Sequence, residues 1–166
     1  MRAVVFDMDG LMFDTERLAM AAWDYAGEKL GVGKAGYMVM KTLGVTAERA
    51  DEIWREEFGA DIDTEAMRRY GREFAGDFFE HNKVPVKPGL YELLDWLKSV
   101  GIKTAVASSS TRRAVDRNLK SAGITDKFNV TVCGEMAARS KPAPDIYLKA
   151  CALLGESAED CIALED

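Results

Sequence analysis

The sequence predicts an α/β fold: an open parallel sheet with a helical segment inserted after its first strand. Three observations predict it. Four short apolar runs, at 3–6, 102–108, 128–134 and 161–165, have strand length and little polar alternation, as strands covered on both faces do. Amphipathic helical patterns separate the last three, and such alternation is the signature of right-handed parallel crossovers. Between the first strand and the stretch "VPVKPG" (84–89) lie about seventy residues of helical periodicity, too many for an ordinary loop.

Each element has a local reason. "AVVF" (3–6) is a buried strand that ends where the carboxylates begin. In the insertion, Ala19, Trp23, Ala26 and Leu30 share one helical face, and Gly31 and Gly33 break the pattern. Thr46 is the expected N-cap of a second helix running through Trp54 and Phe58. Asp63 is the expected cap of a third, whose Met67, Tyr70, Phe74 and Phe78 form a stripe read as core packing. Beyond the insertion, Leu90, Leu93, Leu94 and Leu97 mark a helix stopped by Gly101. Val115, Leu119 and Ala122 mark another before Gly123, and Ile146, Ala150, Leu153 and Leu154 a third before Gly155. The division expected is an α/β core of residues 1–13 and 84–166 with a helical lobe over 14–83.

Composition narrows the function. A chain of 166 residues, 48% hydrophobic, suits one core with a modest second lobe. Its 22 basic against 28 acidic residues give a formal charge of −6, which argues against nucleic acid or an anionic membrane as partner. Cys133, Cys151 and Cys161 are widely spaced and odd in number, so reduced thiols and a cytoplasmic location are expected. The N-terminal apolar stretch is too short for a signal peptide, and no later run reaches the roughly 18 apolar residues of a membrane span. A monomer is the favoured oligomeric state.

In open α/β sheets ligands collect beyond the carboxyl ends of the strands. The residues there are Asp7 and Asp9, then Ser108, then Lys141 after a short loop, then Glu165 and Asp166. Carboxylates crowded in this way suffer raised pKa values unless a hard cation neutralises them, and Mg²⁺ prefers such oxygen ligands. With the metal in place, Asp7 can attack phosphorus as a carboxylate nucleophile. Asp9 reaches the same face if Gly10 turns the chain, and can then protonate a leaving alcohol and later activate water. Ser108 is followed by Ser109, Ser110 and Thr111, a capping cluster whose helix is expected to aim N–H groups at an anion, so Ser108, Ser109 and Lys141 are the expected phosphate ligands. Lys141 precedes Pro142, which favours an extended lysine ahead of a helix that Pro144 can open.

Four segments in order, "DMDGLMFDTE", "AVASSS", "SKPAPDIY" and "ALED", resemble the four motifs of the haloacid dehalogenase superfamily. The chain is most similar to the β-phosphoglucomutase-like phosphatase branch with a helical cap, and the resemblance covers its whole length. It implies a Rossmann-like core in which Asp7 is the nucleophile and Asp9 the general acid/base. Ser108 would bind the transferring phosphoryl group and Lys141 would balance charge between that group and Asp7. Mg²⁺ would be held by the Asp7 carboxylate, the Asp9 backbone carbonyl and Asp166, with Glu165 acting through water.

A Mg²⁺-dependent phosphatase acting on a small phosphomonoester such as a sugar phosphate is therefore expected, with an aspartyl-phosphate intermediate and a cap that closes over the substrate. The alternative is a phosphohexomutase. Mutases of the resembling branch carry a histidine where Ala19 stands here, and an arginine where "GVTAER" has Ala47, with Arg49 two residues later. A third reading follows from the end of the sequence at Asp166: part of the core is expected to be missing, and such a piece would bind phosphate or metal without turnover. Arg112 and Arg113 are read as a solvated helix face, His81 as a surface residue, and Cys133 as a buried inert thiol.

Overall fold

The computed structural model describes residues 1–42 and 47–166, so Thr46 and its expected cap lie outside the described residues. In chain order the longer elements are β1 (Ala3–Phe6), α1 (Thr15–Lys29), α2 (Met38–Thr42), α3 (Ala47–Phe58), α4 (Thr64–His81), α5 (Leu90–Ser99), β2 (Lys103–Ala107), α6 (Arg112–Ala122), β3 (Val130–Val132), α7 (Asp145–Leu154) and β4 (Cys161–Leu164). The chain divides into two compact units: Met1–Asp14 with Lys83–Asp166, and Thr15–Asn82. The breaks fall one residue from the positions read in the sequence, 13/14 and 83/84.

The first unit is built on a four-stranded sheet in the order β3-β2-β1-β4, with every neighbouring pair parallel. β1 is central, and all four of its side chains are buried. Its Phe6 is in register with Val106 of β2 and Leu164 of β4, so β1 and β4 end level and β2 runs one residue further. The residues that follow them emerge side by side at one edge. α7 covers one face of the sheet: Ile146, Ala150, Cys151 and Leu154 pack with Ala3, Val5, Ala105, Ala107 and Val132. Full burial of a side chain such as Ile146 or Leu154 contributes about 2 kcal/mol each.

Two details differ from the periodicity. The buried arc of α7 centres on Ala150 and Leu154 and spreads to Cys151, which leaves Leu153 beyond its edge and 53% exposed. β3 is shorter than the apolar run 128–134. Asn129 meets β2 partly through its side chain, accepting the Thr104 N–H on its amide oxygen at 2.9 Å, and Gly134 already begins a 3₁₀ turn.

The segments entering and leaving the helical insertion run beside one another within this first unit. Phe13 bridges to Val86 in antiparallel sense, Asp14 N–H donates to Pro85 O at 2.9 Å, and Lys87 N–H donates to Met12 O at 2.9 Å.

The second unit is helical and has its own core of Ala26, Ala35, Met38, Trp54 and Met67, with Trp23, Leu30, Ile53, Phe58, Ile62 and Tyr70 packed around it. Helices α1 and α4 approach closely at Gly71, where a Cβ would sit 3.3 Å from the Trp23 ring. Asp63 caps α4 as expected, its carboxylate accepting the Ala66 N–H at 2.8 Å. The short α2, with Met38 and Val39 buried, carries no sequence pattern long enough to announce it.

Candidate active site

Asp7 N–H still donates to Leu164 O at 2.9 Å, so Asp7 continues the sheet register for one residue and comes out beside Glu165. The chain then turns back. Met12 and Phe13 both donate N–H bonds to Met8 O, and Gly10 donates to Phe13 O. Gly10 has φ of +84°, which favours glycine, and a Cβ on it would lie 2.1 Å from Asp166 Oδ2. Glycine thus serves both the turn and the close approach of the Asp166 side-chain carboxylate.

Asp7 is 7% exposed. Burial pushes its carboxyl above the usual carboxylate range, while the Lys141 ammonium opposes this by hydrogen bond and by charge. Lys141 Nζ donates to Asp7 Oδ1 at 2.6 Å and pairs with Glu165 Oε1 at 2.9 Å. Below it lies the Tyr147 ring, its centroid 4.9 Å from the ammonium, which favours the cation electrostatically. The short loop before α7 and the first turns of that helix therefore place one charge between two carboxylates.

Asp9 faces the other way, toward the end of β2. Ser108 is fully buried and donates its N–H to Val132 O at 3.1 Å, extending the sheet. Its hydroxyl lies 3.3 Å from Asp9 Oδ2, and the Ser110 hydroxyl donates to the same oxygen at 2.8 Å. The Ser110 N–H donates to Ser108 Oγ at 3.1 Å, and Ser110 O accepts the Gly134 N–H at 3.0 Å. A Cβ on Gly134 would stand 2.4 Å from Ser109 O, so the turn after β3 fits this loop only as glycine.

Ser109, an expected phosphate ligand, is exposed, and the hydroxyl that meets Asp9 belongs to Ser110. Nor do the first amides of α6 all point to an open anion site. Thr111 accepts the Ala114 N–H and the Glu135 carboxylate accepts the Arg112 N–H, so side chains already occupy part of that helix end. Arg112 and Arg113 are exposed, as the solvated reading expects. The signal for Ser110 was present in the run "SSS", but periodicity does not say which of three hydroxyls turns inward. Tyr147 was missed altogether, since an aromatic in a first helical turn reads as core.

Among the described residues one group of carboxylates has the spacing of a metal site. Asp7, Glu165 and Asp166 each offer an oxygen, and these lie within 4.8 Å of one another. All-oxygen donors of this kind suit a hard divalent cation such as Mg²⁺. The cradle at Gly10, which a side chain would fill, is consistent with that use. The three cysteines are free, and burial pushes the Cys133 thiol up while burial with the neighbouring Cys151 pushes Cys161 up to about 11.

Comparison with known proteins identifies a family along the whole chain. The sequence profile of the haloacid dehalogenase-like hydrolases matches residues 1–166. The chain is 33% identical over 172 residues to the β-phosphoglucomutase of Bacillus subtilis, covering 100% of this chain and 75% of that protein. It is 30% identical over 166 residues to a phosphorylated carbohydrates phosphatase of Thermotoga maritima, covering 100% and 76%. Among solved structures, a mutant of CbbY from Rhodobacter sphaeroides in complex with xylulose-(1,5)bisphosphate superimposes with a TM-score of 0.76 at 28% identity, over 99% of this chain and 77% of that one. The motifs at the strand ends, the parallel core that carries them and these likenesses agree: the chain belongs to the haloacid dehalogenase-like hydrolase family, among its β-phosphoglucomutase-like and phosphatase members.

Proposed function

We propose that the chain hydrolyses a small phosphomonoester, such as a sugar phosphate, through a phosphoryl ester on Asp7. One observation carries the reading: a buried carboxylate held by a lysine at 2.6 Å, with a second, hydroxyl-anchored carboxylate two residues away. Two carboxylates in such different surroundings suit two roles. Asp7 attacks phosphorus and the bond to the leaving alcohol oxygen breaks, while Asp9 gives that oxygen a proton. Water then attacks phosphorus as Asp9 takes its proton, which frees Asp7 and releases inorganic phosphate. Ser108 and Lys141 meet the phosphoryl oxygens, where their donors matter most as charge spreads in the transition state. Mg²⁺ would be held by Asp7, Glu165, Asp166 and the Asp9 backbone carbonyl, and when bound supplies positive charge against the crowded carboxylates.

The family resemblance supports assigning substrate selection to the helical unit as a cap, and the free thiols support a cytoplasmic setting. Turnover of p-nitrophenyl phosphate in the presence of Mg²⁺ is the test. We expect it to vanish in Asp7→Asn and on addition of EDTA; turnover surviving Asp7→Asn excludes the mechanism. A mutase is the second reading, favoured by the 33% identity to a β-phosphoglucomutase and weakened by Ala19 and Ala47, which stand where the mutases carry a histidine and an arginine. Conversion of β-glucose 1-phosphate to the 6-phosphate with a bisphosphate primer would establish it.

A further inference from the structure

We propose that Ser110 is a positioning residue that keeps Asp9 oriented while Ser108 turns to the phosphoryl group, an inference that rests on the acid/base reading of Asp9 above. Ser108 and Ser110 converge on one carboxylate oxygen, Asp9 Oδ2, at 3.3 and 2.8 Å. A hydroxyl has one proton, so Ser108 cannot donate to Asp9 and to a phosphoryl oxygen together. Its bond to Asp9 is the longer of the two and the one to be given up. The Ser108 oxygen stays in place as it does so, because it accepts the Ser110 N–H at 3.1 Å. Ser110 in turn is tethered through its carbonyl to Gly134 N–H at 3.0 Å, so its hydroxyl remains aimed at Asp9.

One residue thus orients both neighbours, the first through its peptide N–H and the second through its side chain. Without the hydroxyl, Asp9 loses the shorter of its two serine hydrogen bonds as Ser108 gives up the other, and fewer bound substrates would find the proton donor in reach. The loss should follow how much the leaving group needs that proton.

The test measures kcat/KM for the full chain with Mg²⁺ on two substrates. One is p-nitrophenyl phosphate, whose leaving group departs as a stable phenolate; the other is glycerol 2-phosphate, whose alkoxide needs protonation. Ser110→Ala is expected to lose about tenfold more on glycerol 2-phosphate than on p-nitrophenyl phosphate, and Ser110→Thr to recover most of the difference. Ser110→Gly keeps the peptide N–H and replaces the alanine variant if that one does not fold. Equal losses on both substrates, or none on either, overturn the proposal. Asp9→Asn run alongside separates the two ideas: it should show the same discrimination more strongly, and if it does not, the acid/base reading of Asp9 itself fails.

Discussion

Lys141 shows most directly how a single residue sets the chemistry. Its ammonium stands 2.6 Å from Asp7 and 2.9 Å from Glu165, and it offsets the burial that raises the Asp7 carboxyl. Attack on phosphorus needs the carboxylate, so activity is lost as the pH falls through the raised Asp7 value. Replacing Lys141 with methionine removes the opposing cation and leaves burial and the Glu165 charge to raise the carboxyl against the Met8 peptide hydrogen bond. In Lys141→Met the acidic limb of the kcat/KM profile should move to higher pH at fixed Mg²⁺, and kcat should fall about a hundredfold. A limb that stays in place or moves to lower pH contradicts the role given to this lysine. At this scale the positions were legible: Asp7, Asp9, Ser108, Glu165 and Asp166 follow the ends of β1, β2 and β4, and Lys141 reaches Asp7 from the loop before α7. Ser110 and Tyr147 were not legible, because their parts depend on rotamers and on a loop fold that no spacing records.

The elements position these side chains through their ends more than through their interiors. β1, β2 and β4 finish within one residue of one another, and the turn that follows each decides what reaches the site. The turn after β3 is the least obvious contributor. Gly134 donates to Ser110 O and leaves no room for a Cβ beside Ser109 O, at 2.4 Å. Gly134→Ala should therefore push the 108–110 loop away and lower kcat/KM for p-nitrophenyl phosphate by about tenfold or more, with the far-ultraviolet spectrum unchanged. Unaltered kinetics in that variant would show that the loop tolerates the displacement. Strand existence was readable from apolar runs, yet strand length was not: Asn129 and Gly134 trim β3 through side-chain pairing and a 3₁₀ turn. Likewise Leu153 falls outside the buried arc of α7, since a helix buries an arc whose centre depends on the sheet beneath it.

Across the whole molecule, the helical insertion leaves the first unit's own hydrogen bonding intact. Asp14 N–H bonds to Pro85 O, and Phe13 pairs with Val86, so the outgoing and returning segments are already joined without residues 15–82. Each unit also has its own buried cluster. Replacing residues 15–82 with a short glycine-serine linker should leave a core that unfolds cooperatively in urea, and residues 15–82 expressed alone should be helical by circular dichroism. A core that loses its cooperative transition would mean that its stability depends on the insertion. This modularity was legible as a change of periodicity after the first strand, though α2 was hidden because five residues carry no period.

The central claim is that phosphorus is carried for a moment on Asp7. Rapid acid quench of the Mg²⁺-loaded chain during turnover, followed by mass analysis of the N-terminal peptide, tests it most directly. The account predicts one added phosphoryl group on Asp7, absent in Asp7→Asn; steady turnover with that peptide unmodified, or with the phosphoryl group on another residue, contradicts it.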